Sequence, residues 1–312
     1  MKKELTCVEI CAGAGGQALG LENAGFKHVA LVEIEEPYCK TLLSNHPEWN
    51  VLLGDVKQFR GESFAGVDLF AGGVPCPPFS LGGKQLGKED ERDLFPEALR
   101  LVATIRPKAV LLENVRGIFD KKFDSYREYI KNTLQELGYN VYWEILNASD
   151  FGVPQLRPRA VLVAITQEID KGFTFPEPTT SKEITVGEAL YDMMGERGWK
   201  GVDVWKSVAN TIAPTIVGGS KKHGGADLGP SRARKAWALL GIDGLGIADE
   251  APAPDFEGMP RLTNQMVSVI QGFPRSWRFS GRKTTVYRQI GNAFPPPVAE
   301  AVGKQIAKCI SN

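Results

Sequence analysis

Short apolar runs alternate with helix-like segments over the first 170 residues, and this alternation is what most limits the folds open to the chain. The predicted strands are Leu5–Ile10, Val29–Glu33, Val51–Leu53, Val67–Ala71, Ala109–Glu113, Val141–Leu146 and Ala160–Ile165. The predicted helices between them include Ala18–Ala24, Pro37–Asn45, Leu94–Ile105 and Ser125–Leu137. Such alternation favours a doubly wound α/β fold, with a mostly parallel sheet covered by helices on both faces. Ligands of these sheets bind at the carboxyl ends of the strands.

The pattern changes between residues 173 and 260, where the chain is rich in Gly, Pro, Ser and Thr and shows weak periodicity. Regular structure returns after Arg261, and Pro297–Ile310 predicts a closing amphipathic helix. We therefore predict two domains. The larger comprises residues 1–172 and 261–312, and a smaller, irregular one comprises residues 173–260.

Composition excludes several classes of protein. The five cysteines are odd in number and lack CxxC spacing, so we expect neither a disulfide framework nor a metal site. Neither a signal peptide nor a run of roughly 20 apolar residues is present, so we expect a cytoplasmic protein. The net charge of zero leaves nucleic acid open as a partner, since a binding face needs only local charge. Residues 275–288, for example, carry five bases and no acids.

A glycine loop, Cys11–Gly16, follows the first predicted strand and precedes a helix. Glycines let the backbone turn tightly and approach a ligand closely. Glu33 ends the second strand, where a carboxylate can bind ribose hydroxyls, and Asp55 follows the third, where it could accept a hydrogen bond from an adenine amino group. Together they predict a nucleoside-type cofactor without identifying it. A nicotinamide-dependent dehydrogenase is one alternative, weakened because the full G-x-G-x-x-G fingerprint is missing.

The fourth strand leads into a proline-stiffened loop that contains Cys76. Covalent catalysis needs a nucleophile in a fixed position and in surroundings that favour the thiolate. Glu113 ends the next strand, and Arg157 and Arg159 alternate onto one face of a later strand. The residues alone also allow a plainer interpretation, in which Cys76 is a buried packing residue and the charged groups form an ordinary salt bridge.

The chain resembles the bacterial-type DNA (cytosine-5)-methyltransferases over nearly its whole length. The matching segments stand in that family's order: Cys11–Gly16, Pro75-Cys76, Glu113-Asn114-Val115, Gln155-x-Arg157-x-Arg159, Arg261-Leu262-Thr263 with Gln271-Gly272-Phe273-Pro274, and Gly291-Asn292-Ala293. Two positions depart from the pattern. Cys11 stands where the family usually has Phe, and Ile34 stands where a larger apolar residue, often Trp, is common, so packing around the adenine ring would differ.

The resemblance implies a Rossmann-like methyltransferase domain that uses S-adenosyl-L-methionine, with residues 173–260 as its target-recognition domain. Cys76 would add to carbon 6 of a cytosine flipped out of duplex DNA, and Glu113 would contact the base. Arg159 would contact the cytosine carbonyl, and Arg157 would support Glu113 or the loop. The cofactor contacts implied by the resemblance are Cys11, Ala12, Gly13, Gly16, Glu33, Ile34, Asp55, Pro75, Leu94, Phe273 and Asn292.

DNA contacts are expected from the loop that follows the nucleophile and from the recognition domain. The candidates are Ser80, Lys84, Gln85, Arg92, Thr215, Ile216, Lys221, Lys222, His223 and Arg232. We further expect a monomer that acts on double-stranded DNA, with a possible restriction endonuclease as functional partner. The rivals are the tRNA-methylating branch of the same family, which usually lacks so long a variable stretch, and a catalytically dead nucleic-acid-binding module.

Overall fold

A computed structural model of the protein describes residues 4–75, 93–218 and 225–311. The chain divides into two compact units. Unit 1 comprises Met1–Leu146, Pro158–Glu177 and Val298–Asn312, and unit 2 comprises Asn147–Arg157 and Pro178–Pro297. Within the described ranges, no helix has the length and apolar character needed to cross a membrane.

Unit 1 is built on a seven-stranded sheet. The strands are β1 (Leu5–Ile10), β2 (Phe26–Glu33), β3 (Val51–Leu53), β4 (Leu69–Gly73), β5 (Ala109–Val115), β6 (Tyr139–Asn147) and β7 (Pro158–Thr166). The helices of this unit are α1 (Gly16–Asn23), α2 (Glu36–Asn45), α3 (Phe95–Ile105), α4 (Asp124–Glu136) and most of α10 (Pro296–Ile310). Each predicted strand coincides with an observed one, and the predicted α/β fold is confirmed.

The sheet has the strand order β3-β2-β1-β4-β5-β7-β6. Neighbours from β3 to β5 pair in parallel, whereas β7 runs antiparallel to β5. The order reverses between β1 and β4, so a crevice opens where these two strands end. The glycine loop follows β1, and Pro75 follows β4, at this same edge. One face of the sheet buries a core that includes Val8, Phe70 and Leu112.

Unit 2 is helical and irregular. Its helices are α5 (Val186–Gly195), α6 (Val202–Val208), α7 (Ser231–Leu239), α8 (Asn264–Ile270) and α9 (Lys283–Asn292). Thr185 caps α5 in a capping box with Glu188, which satisfies two backbone donors at the start of that helix. A core of aromatic and branched side chains, including Trp205, Trp237 and Tyr287, holds these helices together.

The boundaries of unit 2 differ from those of the predicted recognition domain. The predicted domain ends at Pro260, but the core of unit 2 includes Leu262, Met266 and Ile290 beyond that point. In the sequence, weak periodicity identified only the irregular part of unit 2. The helices α8 and α9, which complete its core, have regular patterns and were therefore assigned to the larger domain. The assignment of target recognition to residues 173–260 stays a prediction.

Candidate active site

The glycine loop takes a backbone course that few side chains tolerate. Cys11, with φ of 51°, is one of only two non-glycine residues with positive φ in the described chain, and Gly13 and Gly15 have φ of 57° and 85°. A Cβ added at Gly13 would meet only the carbonyl oxygen of Cys11, at 3.9 Å, and would otherwise enter open space. The loop therefore presents bare backbone beside an open volume, as close approach to a ligand requires.

Glu33 is held beside that loop by backbone amides. Its Oε2 accepts from the N–H of Gly13 at 2.8 Å, and its Oε1 accepts from the N–H of Glu35 at 2.8 Å. Burial raises the pKa of Glu33, although these two hydrogen bonds oppose the rise. Each carboxylate oxygen can accept more than one hydrogen bond, so both remain able to bind the two hydroxyls of a ribose.

Apolar side chains stand exposed at the ends of the neighbouring strands. Ile34 is 60% exposed, and Leu53, which lies opposite Glu33 in the β2–β3 register, is 59% exposed. Asp55 follows Leu53, and its Oδ1 accepts from the N–H of Lys57 at 2.9 Å in a tight turn. Exposed apolar side chains can pack against the face of a planar base, and a neighbouring acid can bind its polar edge. These residues fit a nucleoside cofactor, and Leu53 is the one that sequence reasoning did not identify.

Glu113 and Arg159 form a buried ion pair at the end of β5. Arg159 Nε lies 2.7 Å from Glu113 Oε1, and the side chains are 10% and 7% exposed. Strand β7 runs antiparallel to β5, with Arg159 opposite Val115, so the beginning of β7 meets the end of β5. The two residues lie two positions apart along this ladder and so share a face. The guanidinium fixes and orients the carboxyl group for contact with a substrate.

Asn114 belongs to the Glu113-Asn114-Val115 motif and is a positioning residue to which sequence reasoning assigned no role. It is 1% exposed, and its Nδ2 donates to the carbonyl oxygen of Val74 at 3.3 Å, while its Oδ1 accepts from the N–H of Val115 at 2.8 Å. Asn114 thus ties the last described residues before Cys76 to the strand that carries Glu113. The position of Asn114 next to Glu113 was the signal available in the sequence.

Arg157 lies in unit 2, in surroundings that differ from those predicted for it. Its Nη1 donates to the carbonyl of Ile216 at 2.8 Å, and its Nη2 donates to the carbonyls of Gly291 and Ala293 at 2.6 and 3.1 Å. Arg159 pairs with Glu113, and the predicted support of Glu113 or of the loop by Arg157 stays a prediction. The expected alternation of Arg157 and Arg159 onto one strand face does not hold, because β7 begins at Pro158 and Arg157 precedes it.

Other predicted cofactor residues are placed as follows. In unit 1, Ala12 is buried, Gly16 begins α1, and Pro75 and Leu94 are half-buried, the latter immediately before α3. In unit 2, Phe273 is buried and packs its ring against Trp277 and Phe279, with centroids 5.7 and 5.2 Å away. Asn292 is an exposed residue at the end of α9.

The predicted DNA contacts divide into three groups. Arg232 is exposed on α7, and Thr215 Oγ1 donates to the carbonyl of Leu156 at 2.5 Å. The side chain of Ile216 is 2% exposed and belongs to the core of unit 2, and the predicted contact of this residue with DNA stays a prediction. The remaining predicted residues lie outside the described ones: Cys76, Ser80, Lys84, Gln85, Arg92, Lys221, Lys222 and His223.

One group in the described chain has the side chains for a metal ion, Glu22, His46 and Glu48. His46 Nδ1 lies 2.8 Å from Glu48 Oε1, and its ring stacks on that of Trp49 at 4.0 Å. Glu22 Oε1 accepts from Trp49 Nε1 at 3.1 Å. These side chains contact one another in unit 1, and none of them is among the predicted catalytic or cofactor residues.

Residues 5–308 match the sequence profile of the C-5 cytosine-specific DNA methylases. The fold, the site and this match define a DNA (cytosine-5)-methyltransferase. The chain belongs to the C-5 cytosine-specific DNA methylase family, so the predicted family is confirmed.

Known relatives agree with this assignment. The type II methyltransferase M.NgoMIV of Neisseria gonorrhoeae is 54% identical over 310 residues, which cover 98% of each chain. The type II methyltransferase M.NaeI of Lentzea aerocolonigenes is 54% identical over 315 residues, which cover 99% of this chain and 76% of the relative. A DNA modification methyltransferase encoded within an Escherichia coli prophage has a similar fold, with a TM-score of 0.72 at 23% identity over 99% of this chain and 100% of that one.

Proposed function

We propose that this protein methylates carbon 5 of a cytosine within a specific sequence of duplex DNA, as the methyltransferase of a type II restriction-modification system. The observation that carries the proposal is the buried pair of Glu113 and Arg159, 2.7 Å apart. Glu113 lies on β5, next to β4, the strand that leads to Pro75 and Cys76. The type II assignment is supported by two relatives of that description at 54% identity.

Cys76 is the nucleophile of this proposal. Its thiolate adds to carbon 6 of cytosine, and the electrons of the 5,6 double bond make carbon 5 nucleophilic. Glu113 binds N3 and the amino group of the ring and shares a proton with N3 as negative charge builds there. After methylation, a base removes the proton from carbon 5, the double bond re-forms and Cys76 leaves. Covalent catalysis of this kind divides one difficult step into easier ones.

The cofactor of the proposal is S-adenosyl-L-methionine, which supplies an electrophilic methyl group when bound. Glu33 would bind the ribose hydroxyls, and the backbone of the glycine loop would hold the amino-acid portion. Asp55 would accept from the adenine amino group, and Ile34 and Leu53 would cover the ring. Support comes from the exposure of these two apolar side chains and from the two backbone amides that orient Glu33.

The proposed substrate is double-stranded DNA from which the target cytosine is flipped, because carbon 6 is out of reach inside a stacked duplex. We further propose that the protein acts as a monomer in the cytoplasm and is paired functionally with a restriction endonuclease. Bisulfite sequencing of plasmid DNA from cells that express this chain tests the function directly. Methylated cytosines at one recurrent sequence are expected, and their absence would contradict the proposal.

The nucleophile is tested by Cys76→Ser. We expect this variant to lose methyl transfer completely but to bind S-adenosylhomocysteine as wild type does, because an alcohol is a far weaker nucleophile at neutral pH. Duplex DNA that carries 5-fluorocytosine at the target should trap wild-type protein covalently, since fluorine blocks the final elimination. Cys309→Ser, on α10, is the matched control and should still be trapped. A trapped adduct of Cys76→Ser would identify another nucleophile.

A further inference from the structure

Three amide and guanidinium side chains are buried together in unit 2. Gln155, Arg157 and Gln271 are each 0% exposed. Burial of such polar groups is costly unless hydrogen bonds replace the lost water. Gln155 Nε2 donates to Gln271 Oε1 at 3.0 Å, and Arg157 Nη1 donates to Gln155 Oε1 at 3.3 Å, so the three side chains form one connected network.

One end of this network holds the backbone of Ile216. Gln155 Oε1 accepts from the N–H of Ile216 at 2.9 Å, and Arg157 Nη1 donates to its carbonyl at 2.8 Å. The backbone before Ile216 is hydrogen-bonded to the same segment, since the N–H of Leu156 donates to the carbonyl of Ala213 at 2.8 Å. Both backbone groups of Ile216 are therefore set by side chains of the segment that runs into β7.

The other end of the network holds the backbone on both sides of Asn292. Arg157 Nη2 donates to the carbonyls of Gly291 and Ala293 at 2.6 and 3.1 Å, and Gln271 Nε2 donates to the carbonyl of Ala293 at 2.6 Å. These carbonyls end α9, where helical partners run out. A single guanidinium thus joins the residue before and the residue after Asn292 to the backbone of Ile216.

The two backbones also touch directly. A Cβ added at Gly291 would overlap the Cα of Gly218, and a Cβ added at Gly218 would overlap the side chain of Asn292. Neither segment has room to move toward the other, and the guanidinium of Arg157 keeps them from separating. The segment Thr215–Gly218 and the end of α9 therefore pack closely and share one guanidinium within unit 2.

We infer that Gln155 and Arg157 are positioning residues that couple target recognition to cofactor binding in this enzyme. Through them, any displacement of Thr215–Gly218 when DNA binds is transmitted to Asn292. The inference rests on the proposed function and on the sequence-based predictions that Thr215 contacts DNA and Asn292 contacts the cofactor. An arginine is required because its planar fork reaches three carbonyls at once, which a lysine ammonium on a flexible stem does not reproduce.

The test is Arg157→Lys, measured as a coupling ratio. The dissociation constant of S-adenosylhomocysteine is determined by calorimetry without DNA and again with a saturating duplex that carries the mapped target site. Couplings between sites are typically about 5–150-fold, and we expect a ratio in this range for wild type. For Arg157→Lys we expect a ratio within about twofold of one. A purely structural role for Arg157 would lower the melting temperature and leave the ratio unchanged.

Arg197→Lys is the matched control, because Arg197 also donates to a backbone carbonyl of unit 2, that of Ala251 at 3.1 Å, but lies outside the network. It should keep the wild-type ratio. If Arg157→Lys does not fold, Gln271→Met removes one donor to Ala293 and should lower the ratio by a smaller factor. A wild-type ratio near one, or a folded Arg157→Lys with the wild-type ratio, overturns the inference. Failure of the proposed function is distinct, since wild type would then neither bind S-adenosylhomocysteine nor methylate DNA.

Discussion

At the scale of single residues, the site contains two buried carboxyl groups with opposite kinds of support. Glu33 is held by two backbone amides, which orient it without neutralising its charge. Glu113 is held by the guanidinium of Arg159, which supplies a full opposite charge at 2.7 Å. Hydrogen bonds from backbone amides suit a carboxylate whose task is to accept hydrogen bonds from a ligand. An ion pair suits a carboxylate that lies beside atoms whose charge changes during the reaction.

Replacement of Glu113 by Gln removes this ion pair and, under the proposed mechanism, the proton that Glu113 shares with the base. We expect kcat to fall by about 10²–10⁴-fold, as for loss of a general acid-base group. Affinity for S-adenosylhomocysteine should stay near that of wild type. Single-turnover methylation assays and calorimetry measure the two quantities. Glu136→Gln, an exposed position on α4, serves as the control. A kcat within about threefold of wild type would remove Glu113 from the mechanism.

Replacement of Glu33 by Ala should weaken binding of both S-adenosylmethionine and S-adenosylhomocysteine. Two ribose hydroxyls would lose their acceptor, and the N–H groups of Gly13 and Glu35 would lose theirs. Loss of hydrogen bonds to a charged group costs about 1.5–3 kcal/mol each, which is more than tenfold in the dissociation constant. Calorimetry with both ligands measures the change. Glu36→Ala, an exposed control, should bind normally, and equal affinities for the two variants would contradict the role of Glu33.

The arginines show where sequence reasoning about residues succeeds and where it stops. The family motif identified Arg159 as a site residue. Arg159 meets Glu113 because β7 runs antiparallel to β5, whereas the alternation of strands and helices predicts parallel strands. Motif spacing could not separate Arg159 from Arg157 by position, since that depended on β7 beginning at Pro158. Nor could it reveal Leu53, whose exposure results from the register of β2 and β3.

At the scale of elements, one buried carboxylate joins the beginnings of three central strands. Asp68, just before β4, accepts from the N–H and hydroxyl of Thr6 in β1 at 2.9 and 3.1 Å, and from Lys108, just before β5, at 2.7 Å. Burial opposes ionisation of Asp68, but the hydrogen bonds from Lys108 and Thr6 outweigh burial and hold its pKa below the ordinary value. Asp68 therefore contributes stability in its charged form.

Replacement of Asp68 by Asn should lower the free energy of unfolding at pH 7 by about 1–3 kcal/mol, since charge-assisted bonds are lost. Because the pKa of Asp68 is lower in the folded protein, its contribution is complete above the unfolded pKa of about 3.9. The contribution is lost as pH falls through the lower, folded pKa. Urea denaturation of both proteins across this range measures the effect. A difference that persisted in strong acid would refute the electrostatic explanation, and the exposed Asp120→Asn should show none.

At the scale of the whole molecule, the boundary of unit 2 determines which segments can be transferred into a related methyltransferase without dividing a core. A cut at Pro260 would pass between residues that contact each other, since Arg261 Nε lies 2.7 Å from Asp243 Oδ2 and the N–H of Ala248 donates to the carbonyl of Leu262. Composition marked residues 173–260 as irregular, but only packing shows that α8 and α9 complete the same core. Local sequence patterns do not show which distant segments pack into the same core.

Two chimeras in a distantly related methyltransferase test this boundary together with specificity. Transfer of residues 173–260 alone should give an unstable protein, because it divides the core of unit 2. Transfer of 147–157 with 178–297 should give a folded enzyme that methylates the sequence recognised by this protein. Melting temperatures and bisulfite mapping measure the two outcomes. A folded chimera of the second kind that kept the host's target sequence would place recognition outside unit 2.

The contact between Gly218 and Gly291 also limits how this enzyme can evolve. A side chain at Gly291 would collide with the backbone of Gly218, and one at Gly218 would collide with Asn292, so neither position tolerates a residue larger than glycine. Val217, in contrast, is 49% exposed and is free to vary. Natural variants with new target preferences should therefore differ at Val217 and its exposed surroundings, while Gly218 and Gly291 stay unchanged.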